Sequence, residues 1–117
     1  MSLIEELKNM GLEIDEGLNR VMGDASLYEM MLGMFVSSIQ ENPIRAEDFD
    51  GSDLDELIKS VHTLKGVTGN LALMPLFDGY TKSLTSLRAG QPKEAQAAFK
   101  ELLPVQEEIL SCINRHR

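Results

Sequence analysis

Apolar side chains recur at three- and four-residue steps along most of the chain, and this is the spacing of one face of an α-helix. Leu27, Met31, Met34, Phe35 and Ile39 predict a buried stripe on a helix over residues 25–41, with Asp24 as its N-cap and Asn42-Pro43 as its stop. Leu54, Leu57, Ile58, Val61, Leu64 and Leu71 predict a second long helix over 53–72, opened by a capping-box pair, Ser52 and Asp55. Pro75 suits the first turn of a third, whose apolar positions are Leu76, Tyr80, Leu84 and Leu87 and which ends at Ala89-Gly90. Pro92 opens a fourth, carrying Ala95, Ala98, Phe99, Leu102, Ile109 and Ile113; Pro104 inside it predicts a kink or break near Leu103. Two shorter amphipathic segments precede these, over 3–10 and 14–22, separated by Gly11 and closed by Gly23. Residues 44–52 read as a polar loop, and no alternating apolar run predicts a strand.

Four long amphipathic helices with short connections predict an all-α antiparallel four-helix bundle with one or two short N-terminal helices. The 117 residues fit one domain, 1–117, with its core over about 12–114. Met30, Met31 and Met34 are expected in that core, as is Cys112 as a small apolar side chain.

Charge narrows the function. Eleven Lys and Arg against nineteen Asp and Glu leave a net charge of −8, which disfavours nucleic-acid backbones and anionic membranes as partners. No apolar run approaches membrane-spanning length, and no leader-type segment opens the chain. The single cysteine suits a reducing, cytoplasmic setting, and no cysteine or histidine cluster suggests a metal site. No glycine-rich phosphate cradle is present, so autokinase activity is not expected.

The chemistry concentrates in Val61-His62-Thr63-Leu64-Lys65-Gly66-Val67-Thr68-Gly69-Asn70. At about 100° per residue, His62, Gly66 and Gly69 share a face beside the apolar stripe. Lys65 lies at the border of that face and Lys59 on its far side. Each glycine costs a helix interior about 1 kcal/mol relative to Ala. Two within four residues are a local conflict of the kind that marks functional sites. They open a notch beside an imidazole, and Lys65 is placed to offset the charge of a phosphoryl group arriving on the ring. Gly69 has a second reading, as a glycine that lets a neighbouring helix approach. Lys59 reads first as a solvated surface charge.

The run His62-Thr63-Leu64-Lys65-Gly66, with Gly69 and Asn70, resembles the motif of histidine-containing phosphotransfer (HPt) domains, the helical relays of two-component phosphorelays. Gly17-Leu18, Gly23-Asp24, Leu27-Tyr28 and Met31-Leu32 to Phe35 resemble the stretch that precedes the phosphorylated helix in that family. The resemblance implies that His62 is the phosphoacceptor, that Lys65 assists the phosphoryl group, and that Gly66 and Gly69 give a response-regulator receiver domain room to dock. It implies receiver domains as partners, with a hybrid sensor histidine kinase as one source of them, Mg²⁺ held by the receiver rather than by this chain, and a monomer. Two positions depart from the family pattern. Ala72 stands where many members have glycine, implying a tighter helix end. Leu84 stands where many have a polar side chain, often Gln, that bonds the imidazole; Ser83 or Tyr80 would have to stand in. The competing readings are an adaptor or dimerisation bundle without chemistry at His62, and the paired-helix dimerisation domain of a histidine kinase.

Overall fold

Side-chain caps and prolines set four of the six helix N-termini. The structure, a computed structural model, describes residues 1–117. It contains α1 (Leu3–Asn9), α2 (Ile14–Arg20), α3 (Ala25–Glu41), α4 (Asp55–Asn70), α5 (Met74–Arg88) and α6 (Pro92–Arg115), and no strand. The Ser2 hydroxyl accepts from the Glu5 amide at 3.1 Å and the Asp24 carboxylate from the Leu27 amide at 3.0 Å, each satisfying an N-terminal donor that the helix leaves free. Pro75 and Pro92 sit in the first turns of α5 and α6, where no amide is needed. Pro104 does not break α6, which is assigned as one helix on both sides of it. No helix is long and apolar enough to cross a membrane.

α5 packs along both α4 and α6, α3 touches α4 and α6, α1 lies on α6, and α2 bridges α1 and α3. A single core of 24 residues draws on all six helices. α1 buries Leu3 and Leu7, so the core begins earlier than the expected residue 12. Tyr80 on α5 and Gln106 on α6 are both buried, and the phenol donates to the Gln106 carbonyl oxygen.

Four local expectations need correction. The buried stripe of α3 is Tyr28, Leu32, Phe35 and Val36, one position round from the expected one. Met30 and Met34 point to solvent, at 59% and 61% exposure, and are not core residues; Met31 is half-buried. The loop 44–52 holds a 3₁₀ turn, Ala46–Asp50, that drives Phe49 into the core against Phe99, ring centroids 5.4 Å apart. α4 begins at Asp55, and Ser52 makes no capping bond: the Asp53 carboxylate takes the Asp55 amide instead, at 3.1 Å.

Candidate functional site: a cationic cleft beside His62

Leu57, Val61, Leu64 and Thr68 fill the inner side of α4 at helical spacing. That fixes the rotation of the helix and turns His62 outward, where the ring is exposed and makes no hydrogen bond within the chain. His62, Lys65, Gly66, Gly69 and Asn70 form one wall of an open cleft of about 410 Å³. Met74 and Phe77 at the start of α5 form another, and Arg20 from the end of α2 completes it.

The two glycines do different work. A Cβ built on Gly66 meets nothing within 4 Å. No packing demand keeps that position bare, and the space beside it in the cleft is open. A Cβ on Gly69 would stand 2.9 Å from Cδ1 of Phe77. Gly69 therefore lets α5 close onto α4, and the packing reading is the one its surroundings support.

Just beyond Gly69 the chain leaves the helix through Ala72, at φ +57°, in the left-handed region. The Ala72 amide donates to the Gly69 carbonyl at 3.1 Å and the Leu73 amide to the Thr68 carbonyl at 3.0 Å, the paired bonds of a Schellman ending. A left-handed, buried alanine is a strained ending and not merely a tighter one.

Arg20 was not singled out from the sequence. Its guanidinium Nη1 donates to the Gly69 carbonyl across 49 residues of chain. That carbonyl, in the last turn of α4, thus accepts from both the Ala72 amide and Arg20, and a cation there also opposes the negative end of the helix. The only hint in the sequence is a basic residue in the last turn of a short helix; nothing in the spacing links positions 20 and 69.

Other candidates lie elsewhere. Lys59 pairs with Glu56 at 3.4 Å on the exposed side of α4 and does not line the cleft. Ser83 is fully buried and donates to the Ala95 carbonyl at 3.1 Å, so it is not the imidazole's partner. Tyr80 is committed to Gln106, and Leu84 is buried in the core. No group of three or more His, Cys, Asp or Glu side chains is arranged to hold a metal ion.

The cleft's charge is one-sided. Its ionisable lining is Arg20, His62 and Lys65, with no Asp or Glu, although the chain carries eight excess negative charges. Neither Arg20 nor Lys65 takes part in a salt bridge. Two unneutralised cations beside an unbonded imidazole make a local attractor for an anion.

A second polar cluster lies where α1 meets the end of α6. Glu6 Oε2 accepts from the Cys112 thiol, Arg115 Nη2 and His116 Nε2, each at 3.2 Å. The Cys112 and His116 bonds, with Arg115 adding to them, pull the Glu6 carboxyl down to about 2. Burial, and then the facing carboxylate, push the Cys112 thiol up to about 11.

No known protein family, curated protein or solved structure matches the chain.

Proposed function

We propose that this chain is a phosphorelay intermediate of the HPt type. In this reading α3 to α6 form an antiparallel four-helix bundle, α1 and α2 are accessory, and the protein works in the cytoplasm as a monomer. The observation that carries the reading is His62, exposed on α4 in a cleft that bears Lys65, a bare Gly66 and no acidic residue.

The chemistry needs little more on this side of the reaction. The unprotonated nitrogen of a neutral His62 ring attacks phosphorus in the aspartyl phosphate of a receiver domain. The bond from phosphorus to the aspartate oxygen breaks, and its electron pair returns to the receiver's carboxylate. The phosphoryl group is then held on the imidazole until a second receiver aspartate takes it by the reverse process. Such transfer depends on positioning and on electrostatic balance of the phosphoryl oxygens. Lys65, one helical turn from His62, supplies charge on this chain, and the receiver supplies Mg²⁺ from its own acidic site. Gly66 leaves the approach to the ring unobstructed.

The test is covalent. The chain, incubated with a phosphorylated receiver, should acquire an acid-labile, alkali-stable label that His62→Gln abolishes. A label that survives this substitution, or none on the unaltered chain, refutes the assignment. A second reading, an adaptor bundle with no chemistry at His62, draws support from the exposed Met30 and Met34 on α3, since methionine surfaces adapt to varied partners. It predicts complex formation that is indifferent to His62→Gln.

A further inference from the structure

We propose that Arg20 is a phosphoryl-binding residue of the His62 cleft, reaching the transferred group from α2. This rests on the phosphotransfer reading and adds a ligand that the histidine motif does not contain. One nitrogen of the guanidinium is engaged by the Gly69 carbonyl. A guanidinium carries five N–H donors in a rigid fork, so four remain. The group lines the cleft with His62 and Lys65, and no salt bridge occupies it. The bond to Gly69 anchors the fork within the cleft before any anion arrives, which reduces the ordering cost of binding. A planar fork suits two oxygens of a tetrahedral anion, whereas the Lys65 ammonium acts as a point charge. The ligand class is therefore the dianionic phosphoryl group, held between an arginine and a lysine while it is bonded to the ring.

The test uses the whole chain and phosphoramidate, a small donor that needs no receiver. The His62 nitrogen attacks phosphorus of the nitrogen-protonated donor, the P–N bond breaks with its electron pair going to nitrogen, ammonia leaves, and the other ring nitrogen gives up its proton to water. Arg20→Gln keeps an amide donor and removes the charge. Arg20→Lys keeps the charge and removes the fork. With both variants folded at the assay temperature, Arg20→Gln should label about tenfold more slowly than the unaltered chain and Arg20→Lys about threefold. Raising salt from about 50 to 500 mM should slow the unaltered chain more than Arg20→Gln. A residue that serves only to tie α2 to α4 would lower the melting temperature of the variants and leave labelling per folded molecule unchanged. Labelling of Arg20→Gln within about twofold of the unaltered chain, or equal losses in the two variants, overturns the proposal. Should Arg20→Gln fail to fold, Arg20→Lys and the salt dependence of the unaltered chain decide alone: full-rate labelling, or a rate indifferent to salt, overturns it. Labelling by phosphoramidate without labelling by any phosphorylated receiver would instead refute the relay function and leave the anion site standing. No labelling of His62 by either donor refutes both.

Discussion

The Tyr28 hydroxyl donates to the Leu71 carbonyl at 2.7 Å and so ties α3 to the end of the helix that bears His62. Both groups are buried, and burial pushes the phenol up to about 12, so it stays a neutral donor at any physiological pH. Gly17 of α2 lies directly over this bond. A Cβ there would fall 2.5 Å from Cε1 of Tyr28 and 2.7 Å from the Leu71 oxygen. Three residues further on, Arg20 of the same helix reaches Gly69. The seating of α2 on that bond is thus what brings an arginine to the cleft.

Gly17→Ala should destabilise the fold by about 2–3 kcal/mol, because one of the two clashing atoms is a backbone oxygen that cannot swing aside. The same change should withdraw Arg20 and slow phosphorylation of the fraction that remains folded. Denaturant unfolding and phosphoramidate labelling measure the two effects separately. Unchanged stability would mean that α2 does not sit where the structure has it.

Gly66→Ala and Gly69→Ala should move stability in opposite directions. At Gly66 a methyl meets open space and improves helix propensity, a gain of up to about 1 kcal/mol. At Gly69 it meets the Phe77 ring at 2.9 Å, a loss of about 1–3 kcal/mol that Phe77→Leu should partly relieve. Transfer from a receiver should nonetheless slow in Gly66→Ala, where the variant is more stable and the approach narrower. Paired melting curves and transfer assays check this; a faster transfer in Gly66→Ala would exclude the access role.

The contrast marks what could be read from the chain. His62, Lys65, Gly66, Gly69 and Asn70 meet in one cleft because a single helix carries them, and helical spacing alone places them on one face. The six helices were legible for the same local reason, through caps such as Asp24 and stops such as Pro43. Where partners come from another element, the pattern was silent. Arg20 reaches Gly69 only after α2 has docked. Phe49 was hidden in a polar loop because one aromatic makes no period. On α3, Met31 and Met34 are apolar like Leu32 and Val36, so an apolar pattern alone did not fix which way the helix turns; the buried Tyr28 hydroxyl, bonded to Leu71, favours the observed rotation. Ser83 looked available because it is polar, yet its hydroxyl is committed to Ala95 inside the core.

Ala72→Gly sets two small terms against each other. Relieving a left-handed alanine is worth about 1–2 kcal/mol. Losing its buried methyl costs about 0.8 kcal/mol, and the freer unfolded chain takes back a little more. The expected net change is a gain of about 0–1 kcal/mol by denaturant unfolding. A clear loss would show that the methyl's packing outweighs the strain of the turn.

The Glu6 cluster predicts an acid-sensitive hold on α1. Its carboxyl lies at about 2 in the folded chain against 4.5 for the free group, drawn down chiefly by the Cys112 and His116 bonds. A carboxyl lowered by folding stabilises the fold above its unfolded value. Its contribution is therefore complete above pH 4.5 and fades as the pH falls from there toward 2. Amide exchange in α1 should accelerate through that window ahead of exchange in α5, since α1 rests on α6 at one edge while α5 packs against both α4 and α6. Glu6→Gln should remove this pH dependence and bring the faster exchange of α1 to neutral pH. It should also speed alkylation of Cys112 at pH 8, because the facing carboxylate is one of the two causes that hold the thiol up, burial being the larger. Parallel pH profiles of α1 exchange in the two proteins would mean that Glu6 does not hold the helix, whatever its contacts.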